Sequence, residues 1–590
     1  MGKTQKSFNV IASFLTVFLL MVGAALFGDY YFDLNDDVLM KDILSGVYTG
    51  APESNNIQML YPISAFISLL YRVNSGPDWY GIFLCFLQYL CVFIIVYKVS
   101  REKGGKAEKI LAFVSMFLFM AGTVGSHFVF VQYTFTCGFL SAAAVVLIFT
   151  HREGDYDLIS AAALIAVAYN LRSEMLLLTL PVVGVAILIK WALTGKEFAA
   201  YVKLCLGILC VMVISTAVHR IANMPNDWKE FNHLFDERTE LYDFQYIPDY
   251  EENREFYESI GLSKSEQQLL VNYNYGIDDE INADTLRAVA DHAAGLRTDT
   301  TPFLVQLREA LGLYLYRMRH ISFQKSYQYP MSDFPWNLVT ACLYLGVICC
   351  YVFDGSKKRE KKEIFIASGL LFTLFACRSA LWLFIIVRGR DPIRITHPMY
   401  LMEIVTLLGM LGLKEGRARK IRLASLIITS IICFVSIPNQ ISVIRSETES
   451  REKMRYHYLS LYDYFAQHKD SFYFMDVYTS VSCGEDMLEG EATFSEKMFD
   501  GVDNSFGNHD LMGGWASKSP LYFRKLKKAG FENMQDALLM DNVYLVQNRS
   551  GDIDWIMDYY REKGINISAQ KVDVVADAFV IYAIKEESDF

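Results

Sequence analysis

Blocks of nearly uninterrupted apolar sequence recur along this 590-residue chain, each close to the ~20 residues that a bilayer-crossing helix needs. They run Phe8–Phe27, Trp79–Tyr97, Ile110–Ser126, Thr134–Phe149, Leu158–Leu171, Met175–Trp191 and Lys203–Val218. After a long polar stretch come Trp336–Phe353, Ile364–Val387, Met399–Leu413 and Ile421–Ile437. A helix satisfies its main-chain hydrogen bonds within the segment, so such blocks leave a polytopic α-helical membrane protein as the expected fold class, with about 11 transmembrane helices. The apolar fraction of 53% exceeds the roughly 45–50% of soluble domains.

Charge bias orients the spans. Lys98–Lys109 (KVSREKGGKAEK), Lys357–Lys362 (KKREKK) and Lys414–Arg422 (KEGRARKIR) are short basic loops, which stay in the cytoplasm. With Lys3 and Lys6 they put the N-terminus inside, and an odd span count puts the C-terminus outside. The first block is longer than a signal-peptide core, so an uncleaved anchor is expected. Thr301–Phe323 is helical in pattern, but Arg308, Arg317 and Arg319 interrupt its apolar face; an interfacial amphipathic helix fits better than a span.

This layout divides the chain into a transmembrane domain, 1–440, and an extracytoplasmic α/β domain, 441–590. Within the first, an outer loop spans 28–78 and a mostly helical outer insertion spans 221–335. In the second, FYFMDVYTSV, NVYLVQ and VADAFVIYAI read as strands. SPLYFRKLKKAG and DIDWIMDYYREKG read as helices ending on glycine. Ten of the eleven cysteines fall in apolar blocks and only Cys483 does not, so they act as small apolar residues rather than a disulfide framework.

The net charge of -11 is segregated by loop and leaves no basic face for nucleic acid. A phosphate-binding Walker A sequence, a helix-opening GxGxxG and zinc-type Cys/His spacing are absent from the sequence. No metal site or cofactor is expected, though a divalent metal stays open.

The first outer loop is crowded with acids: Asp29, Asp33, Asp36, Asp37 and Asp42. Helix capping accounts for some of them. The expected topology brings other polar residues to the same membrane face: His127, Gln132 and Tyr133, then Arg172 and Glu174, then Arg378, Arg388, Arg390 and Arg394, with Glu403 one turn inside its span. Ionisable residues within spans are costly unless paired or lining a wet cavity, which marks Arg378 and Glu403. A guanidinium fork matches phosphate oxygens, so Arg172, Arg378, Arg388 and Arg394 are candidate ligands for a lipid phosphate. Asp36 and Asp37 are candidate catalytic carboxylates, suited to a general base on a hydroxyl. Glu174, His127, Gln132, Tyr133 and Glu403 are weaker candidates for holding sugar or acceptor. Lone histidines such as His127 and His397 and helix-end ion pairs also serve plain structural ends, and snorkelling explains an interfacial RGRDPIR equally simply.

A first span feeding an acid-rich outer loop, further short outer loops and a C-terminal outer domain resemble the GT-C superfamily of integral-membrane glycosyltransferases. That superfamily includes protein O-mannosyltransferases and the lipid A aminoarabinose transferase. FDLNDDVLM, SGVYTGAPESNNIQMLYP, LRSE, RGRDPIR and GGWASKSP resemble an uncharacterised bacterial group of such proteins. The resemblance implies transfer of a sugar from a polyprenyl-phosphate donor to a glycan, lipid or protein acceptor at the outer face of the cytoplasmic membrane. Asp36 or Asp37 then stands where the family's first-loop acid acts, as a DD pair in place of the Asp-Glu pair of the O-mannosyltransferases. Arg172, Arg378 and Arg388 match the carrier-phosphate arginines in position. Trp515 of GGWASKSP is a candidate for stacking on a sugar ring, with core packing as the alternative. Competing readings are a non-enzymatic flippase of lipid-linked glycans and a surface-polysaccharide polymerase or ligase.

Overall fold

The computed structural model describes residues 3–100, 106–300, 302–323, 332–353, 358–413, 418–483, 494–499 and 507–587. Parts of the three basic loops expected to fix orientation (101–105, 357 and 414–417) lie outside the described residues. In chain order the elements begin with α1 (Lys3–Phe27), β1 (Tyr31–Phe32), α2 (Asn35–Ser45), α3 (Tyr61–Val73) and α4 (Trp79–Ser100). They continue with α5 (Lys106–Phe119), α6 (Gly125–Val129), β2 (Phe130–Val131), α7 (Tyr133–Thr150), α8 (Asp157–Leu171), α9 (Ser173–Thr194) and α10 (Phe198–Ala222). The polar insertion contributes α11 (Asn226–Thr239), α12 (Arg254–Ser259), α13 (Lys264–Val271), α14 (Ala283–Thr300) and α15 (Phe303–Arg319). Then follow α16 (Trp336–Phe353), α17 (Lys358–Val387), α18 (Ile393–Gly412) and α19 (Ala418–Gln467).

Nine helices among the described residues are long and apolar enough to cross a membrane, so the chain is a polytopic helical membrane protein. Two shorter apolar helices, Asp157–Leu171 and Trp336–Tyr351, sit where the remaining expected spans fall. The bundle is built around α7, 94% of whose spanning window is buried, whereas only 22% of the windows in α1 and α10 is. The peripheral helices therefore expose apolar side chains where a lipid phase would cover them. Two glycines set the closest approach in the centre. A Cβ on Gly138 of α7 would lie 2.3 Å from Pro398 of α18, and one on Gly409 of α18 would lie 2.3 Å from the Phe149 ring.

Successive long helices alternate direction, so one end of the bundle carries the ends of α1, α6, α8, α10, α17 and α19 and the starts of α4, α7, α9, α16 and α18. That end is covered by α2, the polar insertion and a five-stranded sheet. The sheet strands are β3 (Phe472–Met475), β4 (His509–Leu511), β5 (Val543–Asn548), β6 (Ile567–Val575) and β7 (Phe579–Glu586), in spatial order β4-β3-β5-β7-β6. β3 pairs parallel with β4 and β5, and β7 pairs antiparallel with β5 and β6. Helices α20 (Pro520–Ala529), α21 (Met534–Leu538) and α22 (Asp554–Glu562) complete the element list.

Side chains alternate across a strand, and here both faces are buried. Phe472, Phe474, Val543 and Leu545 face a core shared with α2, the insertion helices and α20–α22. Tyr473, Met475, Val546 and Phe579 face Tyr458, Leu461 and Phe465 of α19. The two outer segments read separately in the sequence thus share one core with the first loop, and α19 runs on past the expected boundary at 440 to become the sheet's second cover. Trp515 is partly buried where this core meets the bundle core, so its ring packs at the seam.

Candidate functional site

The first loop is held in place at its start. β1 pairs parallel with β2, Tyr31 opposite Phe130 and Phe32 opposite Val131. On the other side Phe32 N–H donates to the Glu496 carbonyl at 3.1 Å and Met498 N–H to the Tyr30 carbonyl at 2.8 Å. Arg451 of α19, only 1% exposed, donates to the Phe32 carbonyl at 3.1 Å and to Ser495 Oγ. Leu34 then starts α2, which carries Asp36 and Asp37 in its first turn, where the helix dipole favours negative charge.

The five acids of the loop separate into two kinds. Asp29 pairs with Lys497 at 2.8 Å, Asp33 with Arg451 at 3.4 Å and Asp42 with Lys41 at 3.3 Å. Asp36 and Asp37 have no ion pair among the described residues. Asp37 is fully buried, accepts a hydrogen bond from Tyr80 Oη at 2.7 Å, and keeps Oδ2 without a hydrogen-bond partner among the described residues. Burial pushes the Asp37 carboxyl well above the usual range; the charges of Asp36 and Asp33 add to that, against the Tyr80 hydroxyl and the Tyr133 main-chain N–H. Asp36 is partly exposed.

Arg172 sits at the junction between α8 and α9. It donates to Tyr133 Oη at 2.8 Å and to Gln58 Oε1, and its Nε faces Glu174 at 3.1 Å. Its guanidinium lies 5.2 Å from the Tyr133 ring centre. The charges acting on it include Asp36 and Asp243, which with Tyr133 and Glu174 raise its pKa against burial. Asp243 in turn pairs with Arg390 at 3.0 Å, and Arg390 feels Arg394, Arg172 and Arg238. Arg394 acts on Asp33 and makes no ion pair among the described residues. Asp36, Asp37, Tyr133, Arg172, Glu174 and Arg394 therefore lie near one another at one end of the bundle.

The α17–α18 turn is fixed by its own chemistry. Gly389 adopts φ +65°, in the left-handed region, and Arg390 N–H closes onto the Ile385 carbonyl at 2.8 Å. Arg317 of α15 clamps Asp391 at 2.5 Å and grips both oxygens of Asp333 at 2.6 and 2.8 Å. Tyr400 Oη donates to Asp333 at 3.2 Å. This buried bidentate network aims the turn that carries Arg390 and Arg394.

Other candidates fall elsewhere. Arg378 and Glu403 pair with each other at 3.1 Å inside the bundle, where Tyr344 Oη donates to Glu403 at 2.6 Å and Arg378 donates to Tyr314 Oη at 2.7 Å. Arg378, a candidate for the lipid phosphate, and Glu403, a weaker candidate for sugar or acceptor, thus stand as an ion pair to each other. Gln132 caps α7, accepting from Phe135 N–H at 2.9 Å. His127 and His397 share a hydrogen bond at 2.8 Å, with His127 stacked on Phe135. Arg388 is exposed and lies over the Phe244 and Phe384 rings.

Sequence reasoning missed Gln58, Tyr80 and Asp243, which complete the surroundings of Arg172 and Asp37. Each is a common polar residue with nothing in its neighbours to mark it. The one acidic trio close enough to share a cation among the described residues, Glu266, Asp278 and Glu280, already surrounds the Lys563 ammonium at 2.7, 3.1 and 2.6 Å.

No protein-family model matches the chain, and neither the curated proteins nor the solved structures searched contain a match to it.

Proposed function

We propose that this protein is a GT-C-type glycosyltransferase of the cytoplasmic membrane, with about eleven spans, a cytoplasmic N-terminus and an extracytoplasmic C-terminal α/β domain. It takes a sugar from a polyprenyl-phosphate donor and passes it to an acceptor hydroxyl at the outer face, modifying a cell-surface glycan, lipid or protein. The observation that carries this reading is the convergence of two carboxylates lacking cationic partners with Arg172, Arg390 and Arg394 at one end of the bundle.

In this reading the lipid phosphate lies against Arg172 and Arg394, whose charge stabilises the phosphate as it leaves. Asp36, the accessible member of the pair, takes the proton of the acceptor hydroxyl. The hydroxyl oxygen bonds to the anomeric carbon as the bond from that carbon to the phosphate oxygen breaks, with inversion. Asp37, buried beside it, holds its own proton to higher pH and so positions Asp36 without doubling the negative charge. A flippase predicts polar residues spread through the bilayer midplane and paired or broken spans in related halves, whereas the charges inside the bundle, Arg378 and Glu403, pair with each other.

The test is transfer of radiolabel from polyprenyl-phosphate sugars into envelope material by membranes with and without the chain. Chain-dependent transfer that Asp36→Asn abolishes is expected. Transfer untouched by both Asp36→Asn and Asp37→Asn overturns the assignment.

A further inference from the structure

A cavity lies at the opposite end of the bundle from Asp36. Three helices run from one to the other: α4 from Tyr80 to Lys98, α7 from Tyr133 to Phe149, and α18 from Arg394 to Gly412. At 1.5 Å per residue, the first of these is about 27 Å of helix. The cavity has a volume of about 660 Å³, within the roughly 300–1,000 Å³ range of small-molecule sites.

Its lining is asymmetric. Val146, Phe149, Leu411 and Leu426 give it an apolar floor, and among the described residues six lysines and arginines line it against a single acid, Glu108. Three of these cations are answered by protein groups as follows. Lys98 pairs with Asp157 at 2.5 Å, Lys190 donates to the Phe149 carbonyl at 2.7 Å, and Arg419 pairs with Glu108. Lys109 is different. It is 6% exposed, lines the cavity, and has no hydrogen bond or ion pair among the described residues.

A basic helix end facing the cytoplasm needs only solvated lysines, whereas Lys109 is buried along most of its length while no protein group answers its ammonium among the described residues. Two further polar atoms of the lining, Ser100 Oγ and His151 Nδ1, are buried without a hydrogen-bond partner among the described residues. A donor-rich wall over an apolar floor matches an amphiphile with an anionic head.

We propose that this cavity binds the phosphate of an anionic membrane lipid, with Lys109 as its counter-charge and Ser100 as a neutral donor. The lipid chains lie along the apolar floor. The proposal is independent of the transferase reading, because the cavity shares no residue with the Asp36 site.

The test uses the full chain, purified and delipidated in a neutral detergent. Probes are mixed micelles of phosphatidylglycerol, mixed micelles of phosphatidylcholine, and inorganic phosphate, with retained lipid read by mass spectrometry and folding by thermal unfolding. Phosphatidylglycerol is expected to bind saturably and raise Tm, phosphatidylcholine much less. Lys109→Met should weaken phosphatidylglycerol binding at least tenfold, while Lys109→Arg preserves it. Without lipid, Lys109→Met should be no less stable than wild type. A measurement without substitution guards against misfolding: phosphatidylglycerol should slow acylation of Lys109 by an amine-reactive reagent. Protection by inorganic phosphate alone, with the same Lys109 dependence, would keep the anion site and overturn the lipid assignment. Equal phosphatidylglycerol binding by wild type and Lys109→Met overturns the proposal.

Discussion

Arg172 and Arg378 are both arginines packed on tyrosine rings, yet their surroundings differ in one decisive respect. Arg378 and Glu403 have side chains 4% and 2% exposed, and each also hydrogen-bonds a tyrosine hydroxyl. Arg172 faces Glu174, whose side chain is 69% exposed, so that ion pair is screened and readily exchanged. A closed pair holds helices together. An open one can trade its carboxylate for a phosphate. The same contrast runs through the first loop, where Asp29, Asp33 and Asp42 are each matched to a cation and Asp36 and Asp37 are not.

The largest expected effect falls on chemistry. Asp36→Asn should lower transfer about 10²–10⁴-fold, the usual scale for losing a general base, with the unfolding midpoint unchanged. Retained transfer would erase the difference between the matched and unmatched acids.

Next comes stability at the closed pair. Removing one partner of a buried ion pair leaves the other uncompensated, so Arg378→Met should destabilise the protein by about 3–5 kcal/mol. Arg378→Met combined with Glu403→Leu should recover most of that loss, because two apolar side chains replace two charges. Chemical or thermal unfolding of the two variants side by side measures it.

Arg172→Gln should do the reverse. Losing a charge-assisted hydrogen bond to phosphate costs about 1.5–3 kcal/mol of donor binding, seen as a rise in KM for the lipid donor. Its effect on stability should stay below about 1 kcal/mol, as for exposed pairs.

The smallest effect is a pH slope. The Asp37 carboxyl is raised above the roughly 3.9 of an unfolded aspartate, so between the two values the folded state holds more protons than the unfolded one. Stability from this group therefore falls as pH rises through that window. Asp37→Asn should flatten the fall in Tm with increasing pH, and an unaltered profile would remove Asp37 from its place beside Asp36.

Much of the architecture was legible because it rests on periodicity. Apolar blocks announced the long helices, and FYFMDVYTSV, NVYLVQ and VADAFVIYAI fall on β3, β5 and β7. The glycines closing α20 and α22, Gly530 and Gly564, have φ of +89° and +78°. β4 escaped because it is only three residues long, too short to show alternation. The extension of α19 to Gln467 escaped because its last turns are amphipathic against a sheet the sequence places later.

Within the site, charge made Asp36, Asp37 and Arg172 visible. Arg378 was visible for the same reason but is used differently, since sequence marks a charge within a span and says nothing of its partner. Glu403 could be named as its neighbour only once α17 and α18 were seen side by side. Tyr80 and Gln58 are neutral, and only tertiary contact gives them a role.

The most direct measurement is sugar transfer per folded molecule by Arg172→Gln and Arg378→Met at subsaturating lipid donor, with the folded fraction of each fixed by gel filtration. The account predicts that Arg172→Gln is well folded and transfers at least tenfold more slowly, while the surviving folded Arg378→Met transfers at close to the wild-type rate. The opposite pattern, with Arg172→Gln active and folded Arg378→Met inactive, would move the phosphate site into the bundle and contradict it.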